Sequence, residues 1–234
     1  RAASPREALL GYYERQIFDE TLPPTVICDR AGEPLAKIQD GDAVIFFNFR
    51  PDRILQLAKA FTLPDFDKFS RANPPLKNVY YATMTEYEKN LPAEVAFDTD
   101  DIKNGLSEIV SRQGWTQYHI AEREKYAHVT SFFNGGREEP WTGEMREIVT
   151  SPTSYQESYA DVPEMSVRAI TEKIVEKLKT GTPFIVANFA NADMVGHTGI
   201  KDACMRAVAA IDKCLGIVTK EAAASGSCFF IKAD

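Results

Sequence analysis

Long apolar runs are missing from this sequence: the longest, such as Ala43 to Phe47, extend five residues, against the roughly 20 needed to cross a bilayer as a helix. No membrane-spanning helix is expected. Cysteine is scarce as well. Cys28, Cys204, Cys214 and Cys228 form no C-x-x-C pair and no zinc-ribbon spacing, which excludes a disulfide scaffold and predicts four thiols in a reducing compartment. Basic residues are outnumbered, with 27 Lys and Arg against 34 Asp and Glu, so composition calls for neither a nucleic-acid nor an anionic-membrane partner. Repeats, low-complexity stretches, G-x-S-x-G, a P-loop and G-x-G-x-x-G are all absent, removing the simplest hydrolase, NTPase and dinucleotide readings. The first residues lack Met and an apolar signal core, and the chain stops just past Cys228 to Ile231, so both ends are expected to be cut.

What is present is an ordinary globular composition, 44% hydrophobic and 26% charged, with apolar runs alternating with amphipathic ones. The expected strands are Val26 to Cys28, Ala43 to Phe47, Val79 to Met84, Gln117 to Ile120, His128 to Phe133, Phe184 to Phe189 and Cys228 to Ile231, short and too uniformly apolar to be half-exposed. The expected helices are Pro5 to Arg15, Arg53 to Phe61, Asp101 to Arg112 with Thr99 or Asp100 as cap, Pro163 to Leu178, and Lys201 to Ala224. Strand alternates with helix, which is the α/β class. In the last helix Cys204, Val208, Ile211, Leu215, Val218 and Ala222 form an apolar stripe, which assigns its cysteines to packing. The stretch Ala72-Asn73-Pro74-Pro75 reads as a loop, and the charged run Glu122-Arg123-Glu124-Lys125 follows a change of character after Arg112. A domain boundary is placed there, dividing the chain into 1–118 and 119–234.

Residues suited to chemistry cluster where strands end. Asn48-Phe49-Arg50-Pro51-Asp52-Arg53 follows an apolar strand and opens a helix, with Pro51 suited to its first turn. Two arginines at a helix start oppose the helix dipole, and an anionic ligand would supply the reason for them; pairing with Asp52 on a solvated surface is the equal alternative. Asp193 and His197 lie four apart after the strand ending at Phe189, a spacing that can bring a carboxylate and an imidazole to one divalent cation. An N-cap plus a structural histidine is the commoner use of that spacing. Asp234 follows the apolar run Cys228 to Ile231, so it is expected at the same sheet edge as Asp193. Lys125 stands in the boundary segment, able to neutralise a phosphate, whereas His119 and His128 read as structural.

In this order the blocks Asp42 to Arg53, Glu124 to Thr130, Phe132-Phe133-Asn134-Gly135-Gly136, Pro163-Glu164-Met165-Ser166 and Asn188 to Gly199 resemble the cofactor-independent (2,3-bisphosphoglycerate-independent) phosphoglycerate mutase family of the alkaline-phosphatase superfamily. The resemblance implies a two-domain α/β enzyme, its C-terminal domain alkaline-phosphatase-like. That enzyme would interconvert 3-phosphoglycerate and 2-phosphoglycerate through a phosphoserine, with two divalent metal ions, usually Mn²⁺. It matches Arg50 and Arg53 to phosphate-clamping arginines, Lys125 to an active-site lysine, and Asp193 and His197 to ligands of one metal. Asp234 matches the Asp of a T-A-D-H-G-N block that ligates the second metal, with Lys232 in the Thr place. The family's segment bearing the nucleophilic Ser and another metal-binding Asp has no counterpart, so no Ser is assigned that role. His119 stands where the family commonly has Arg.

The resulting expectation is a cytoplasmic monomer acting on phosphoglycerate, with Pro5 to Arg112 clamping substrate and Lys125 to Asp234 bearing metal. The 234-residue chain alone is expected to be inactive. The alternatives are another metal-dependent phosphomutase or phosphatase of that superfamily, or a silent phosphate-binding fragment.

Overall fold

A computed structural model describes residues 1–71, 76–98, 102–152 and 158–233. The chain divides into two compact units, Arg1–Asp100 and Asp101–Asp234. The division falls ahead of the expected 112–124 boundary. Its local cause is Gln117, whose buried side-chain amide donates to the Ser107 carbonyl, binding the helix of residues 106–112 to the strand that follows it.

In the first unit, helix α1 (Pro5–Tyr13) starts at Ser4, whose hydroxyl accepts from the Glu7 N–H at 3.1 Å, the usual N-cap economy. Strands β1 (Ala43–Phe46), β2 (Tyr80–Thr83) and β3 (Glu94–Val95) form a parallel sheet in that order. Helix α2 (Pro51–Thr62) follows β1 with Pro51 in its first turn, where a missing N–H costs nothing. Phe46, Ala58 and Tyr87 are its buried core. The other face of this sheet is open, with Ile45 61% and Tyr80 56% exposed, so the expectation of doubly buried strands fails here.

In the second unit it holds only for the central strand, the edge strand Phe184–Ala187 being half-buried to exposed. Strand β4 (Gln117–Glu122) lies between β5 (Glu144–Val149) and β6 (Phe184–Ala187), all parallel, and every residue of β4 is buried. Around this sheet lie α3 (Leu106–Arg112), α4 (Tyr126–Val129), α5 (Val167–Lys179), α6 (Asn191–Gly196) and α7 (Lys201–Ala224). Tyr118 and Ile120 pack on Ile170 and Ile174 of α5 and Val218 of α7.

Several expectations need correction. His128 to Phe133 is no strand: α4 ends in it, the Phe132 N–H returns to the Ala127 carbonyl, and Gly135 and Gly136 take positive φ. Short-range bonds consume the donors a ladder would need. Val26 to Cys28 makes only isolated bridges to Ala2 and Pro34. Cys228 to Ile231 pairs with no strand among the described residues, and Phe230 is 90% exposed, so the strand-end argument for Asp234 loses its premise. Asp234 itself lies outside the described residues, as do the loop 72–75 and the caps expected at Thr99 and Asp100. Helix α5 starts at Val167 rather than Pro163 because residues 163–166 form turns.

The α7 stripe is displaced by one residue at its first four positions, while Val218 and Ala222 lie on the buried face as expected. Its buried face runs through Ala203, Ala207, Ala210, Cys214, Val218 and Ala222, and Val208 is 56% exposed. Small side chains on that face let α7 approach α5 and α6 closely. All four cysteines are free thiols, with Cys28 and Cys214 buried and Cys228 exposed. Among the described residues no helix is long and apolar enough to cross a membrane.

Candidate active site

Because β4 and β6 are parallel neighbours with Ile120 opposite Ala187, the segments that follow them leave the sheet at one edge, where α/β folds place ligands. After β4 the chain makes a short 3₁₀ turn, Arg123–Lys125, and enters α4. After β6 it enters α6, whose third residue is Asp193 and whose C-cap is His197. Lys125 Nζ lies 2.5 Å from Asp193 Oδ2, and His197 Nε2 lies 3.5 Å from Asp193 Oδ1. Three of the expected residues therefore meet: Lys125, Asp193 and His197.

The electrostatics agree with that geometry. Partial burial would by itself raise the Asp193 carboxyl, but the Lys125 hydrogen bond and charge, with His197 and His128 nearby, hold it below the ordinary value. An ionised carboxylate and an imidazole nitrogen on one short helix are hard and borderline donors suited to one divalent ion. The Lys125 ammonium takes Asp193 Oδ2, and Oδ1 faces His197. The residues present thus fit part of a metal-ligand set. Among the described residues no group of three or more His, Cys, Asp or Glu converges.

The position of Asp193 is fixed from behind. Asn191, fully buried, donates from Nδ2 to the carbonyls of Pro163 at 2.9 Å and Glu164 at 2.6 Å. Ala160, Val195, Ala203 and Ala207 pack α6 against α7, with Met165 beside them. The block Pro163-Glu164-Met165-Ser166 therefore serves as the seat of α6.

His119 is structural, as expected. It is fully buried, with Nδ1 at the Val129 carbonyl and Nε2 3.0 Å from Gln117 Oε1. Burial lowers its pKa, Arg146 acting in the same sense against the Val129 bond and Glu144. His128 packs edge-on against the Phe132 ring, with centroids 5.2 Å apart.

Arg50 and Arg53 belong to the first unit. Arg50 immediately precedes α2 and Arg53 is in its first turn. The Arg50 side chain is 63% exposed with Nε 3.6 Å from Asp52 Oδ1, a loose contact, and exposed Arg53 has no side-chain partner among the described residues. Both arginines are solvent-exposed, and among the described residues the Asp52 pairing is made by Arg50 and not by Arg53.

Three residues escaped the sequence reading. Glu122 is fully buried, and Glu124 and Ser151 are half-buried; the Ser151 hydroxyl sits 2.7 Å from Glu122 Oε2 and 2.6 Å from Glu124 Oε2. Burial, reinforced by Glu124, raises the Glu122 pKa against bonds from Ser151 and the Ser166 N–H. The available signal was two glutamates spaced by one residue at the end of an apolar strand, where a solvated charge run does not belong.

The profile of the Metalloenzyme superfamily matches residues 35–234. The 2,3-bisphosphoglycerate-independent phosphoglycerate mutase of Moorella thermoacetica is 45% identical over 234 residues, covering 100% of this chain and 45% of that protein. The 2,3-bisphosphoglycerate-independent phosphoglycerate mutase 1 of Methanosarcina acetivorans gives 45% identity over 235 residues, with the same coverage. The chain thus spans under half the length of these curated relatives. A solved structure of Leishmania mexicana phosphoglycerate mutase at low cobalt concentration superposes with a TM-score of 0.84 at 32% identity, covering 97% of this chain and 42% of that one. The parallel α/β fold is alkaline-phosphatase-like, and the match over nearly the whole chain, with a carboxylate and an imidazole brought together at the sheet edge, means that this chain belongs to the Metalloenzyme superfamily.

Proposed function

We propose that this chain is part of an enzyme that interconverts 3-phosphoglycerate and 2-phosphoglycerate through a phosphoserine intermediate. The carrying observation is the meeting of Lys125 with Asp193 and His197 at the edge where β4 and β6 end. The 45% identity to phosphoglycerate mutases over the whole chain supports the choice of reaction. The unit of residues 101–234 is read as part of a metal-bearing domain and that of residues 1–100 as part of a substrate-clamping one.

Asp193 and His197 would hold one divalent cation, most simply Mn²⁺ or Co²⁺, and the reading assigns Asp234 to a second. Such ions polarise a phosphoryl group and lower the pKa of a nucleophilic hydroxyl. The chain's own residues do the rest. Lys125, only 16% exposed, offers a desolvated ammonium to an anionic phosphoryl oxygen, where a fixed charge acts more strongly than in water. Arg50 and Arg53 present exposed guanidinium groups for a carboxylate or phosphate, to which Arg can bind with two parallel bonds. No serine of this chain is assigned as the nucleophile.

The test is a coupled assay of 3- to 2-phosphoglycerate conversion on the protein expressed from its complete gene, chelated and then given Mn²⁺ or Co²⁺. Metal-dependent turnover that is lost in Asp193→Asn supports the reading. Metal-independent turnover, or none with either ion, overturns it.

A further inference from the structure

We propose that Glu122 stands as a neutral carboxylic acid at neutral pH and, through Ser151, positions Glu124 beside Lys125. The argument counts protons. Ser151 Oγ approaches Glu122 Oε2 at 2.7 Å and Glu124 Oε2 at 2.6 Å. A serine hydroxyl carries one hydrogen and can donate to one of them. The second contact is a hydrogen bond only if a carboxyl supplies the proton; otherwise it sets two oxygen lone pairs against each other.

The surroundings say which carboxyl carries it. Glu124 is partly open to solvent and accepts from the Tyr159 hydroxyl at 3.0 Å as well as from Ser151, a carboxylate's pattern. Glu122 has no solvent exposure and no ion pair among the described residues. Its Oε1 accepts from the Ser166 N–H at 3.0 Å, which leaves Oε2 to donate to Ser151. The order Glu122 to Ser151 to Glu124 then satisfies every group.

The groups facing Glu122 are few. From its own segment comes the charge of Glu124, which disfavours a second anion; from beyond β5 comes the neutral Ser151. From the residue preceding α5 come the Ser166 N–H and the Ser166 side chain, both favouring the anion. These dipoles do not offset complete burial of a carboxylate next to another. Burial is also the leading cause of its raised pKa.

The consequence is positional. Glu124 precedes Lys125, whose ammonium reaches Asp193, so the neutral acid and the serine fix the backbone from which Lys125 extends. That consequence rests on the phosphoryl-transfer reading; the protonation does not.

The test compares the parent chain with Glu122→Gln, whose amide donates and accepts where the neutral acid does. An acid with a raised folded pKa binds more protons folded than unfolded, so its contribution to stability falls as pH rises above the ordinary value of 4.5. Glutamine has no such dependence. Between about pH 5 and 8 the Tm of Glu122→Gln relative to the parent should climb by a few degrees. The infrared band of a protonated carboxyl in the parent should vanish in the variant. A gap that stays flat or shrinks with rising pH, an absent band, or failure of Glu122→Gln to fold overturns the proposal. In the enzyme from the complete gene, Glu122→Gln should keep kcat and Glu122→Asp, too short to reach Ser151, should lose about tenfold or more; the reverse order refutes the positioning role. If the parent shows no turnover, the functional reading fails alone, and the thermal and infrared measurements still decide Glu122.

Discussion

Replacing Asn191 with alanine should destabilise the second unit strongly although it removes no apolar contact. The side chain is fully buried, its Nδ2 donates to two carbonyls, and its Oδ1 has no hydrogen-bond partner among the described residues. All of its stabilisation therefore lies on the donor side. A buried acceptor left without its donor costs about 1–3 kcal/mol, which applies to the Pro163 carbonyl; the Glu164 carbonyl keeps the Val167 N–H at 3.3 Å, so losing that second bond adds only about 0.5–1.5 kcal/mol. The sum is about 1.5–4.5 kcal/mol, a fall of roughly 3–18 °C in Tm for a chain of this size. Thermal unfolding followed by circular dichroism reads it. Asn191→Asp should be worse than alanine, since it turns an oxygen and a buried charge toward two carbonyls. A change under about 2 °C, or an aspartate variant more stable than the alanine one, would refute the assignment of the amide as the clamp on α6.

Arg50→Ala and Arg53→Ala should each lower kcat/KM at least about a hundredfold in phosphoglycerate turnover with little change in Tm, because both side chains are exposed; unchanged kinetics in both would return them to the solvated surface. Gly135→Ala should cost about 2–4 kcal/mol, since its Cβ would meet Ile102 Cβ at 2.8 Å at φ +68°. Gly136→Ala, with φ +91° and open space, should lose only the backbone part, and equal Tm values for the two would discount the clash. Glu144 is held below its ordinary value of 4.5: burial alone would raise it, but the Trp141 N–H, Arg146, His119 and Asn134 outweigh that. A lowered folded pKa gives stability that is present above 4.5 and lost as pH falls through the folded value. Glu144→Gln should thus be less stable at pH 7 with the gap closing in acid, and a gap constant down to about pH 3 contradicts this.

The sequence revealed elements wherever one signal dominated. Helix α7 was found at its observed bounds because no Pro interrupts the 24 residues from Lys201 to Ala224 and its periodicity runs through the single Gly216, and β4 and β6 stood out as apolar runs beside polar loops. Strand β5 was missed because Glu144-Met145-Arg146-Glu147 carries three charges in four residues, which argues against a buried strand. Those charges neutralise one another locally: Glu144 accepts from Arg146 Nε at 2.6 Å and from Asn134 Nδ2. Such pairing is tertiary information, set by a loop ten residues upstream. His128 to Phe133 failed for the opposite reason. Its apolar residues have a strand's composition, but Thr130 Oγ1 bonds the Tyr126 carbonyl and turns the backbone away from any ladder.

The candidate site was legible because of topology more than spacing. Asp193 and His197 alone are a weak motif. Their weight came from following an apolar strand, and in a sheet whose order is β5-β4-β6 with every pair parallel all three strands end at one edge. Whatever follows β4, β5 and β6 must therefore gather there: Glu124 and Lys125, Ser151, and Asp193 with His197. The partners missed were the residues that hold the site rather than those that would touch substrate. Glu122 and Ser151 have unremarkable residue types, and their meaning comes from a 2.7 Å contact between residues 29 positions apart. A sequence read one strand at a time shows which side chains arrive at the edge; the parallel register decides which of them share a proton, and that is where Glu122 acquires a role that its position in a charge run conceals.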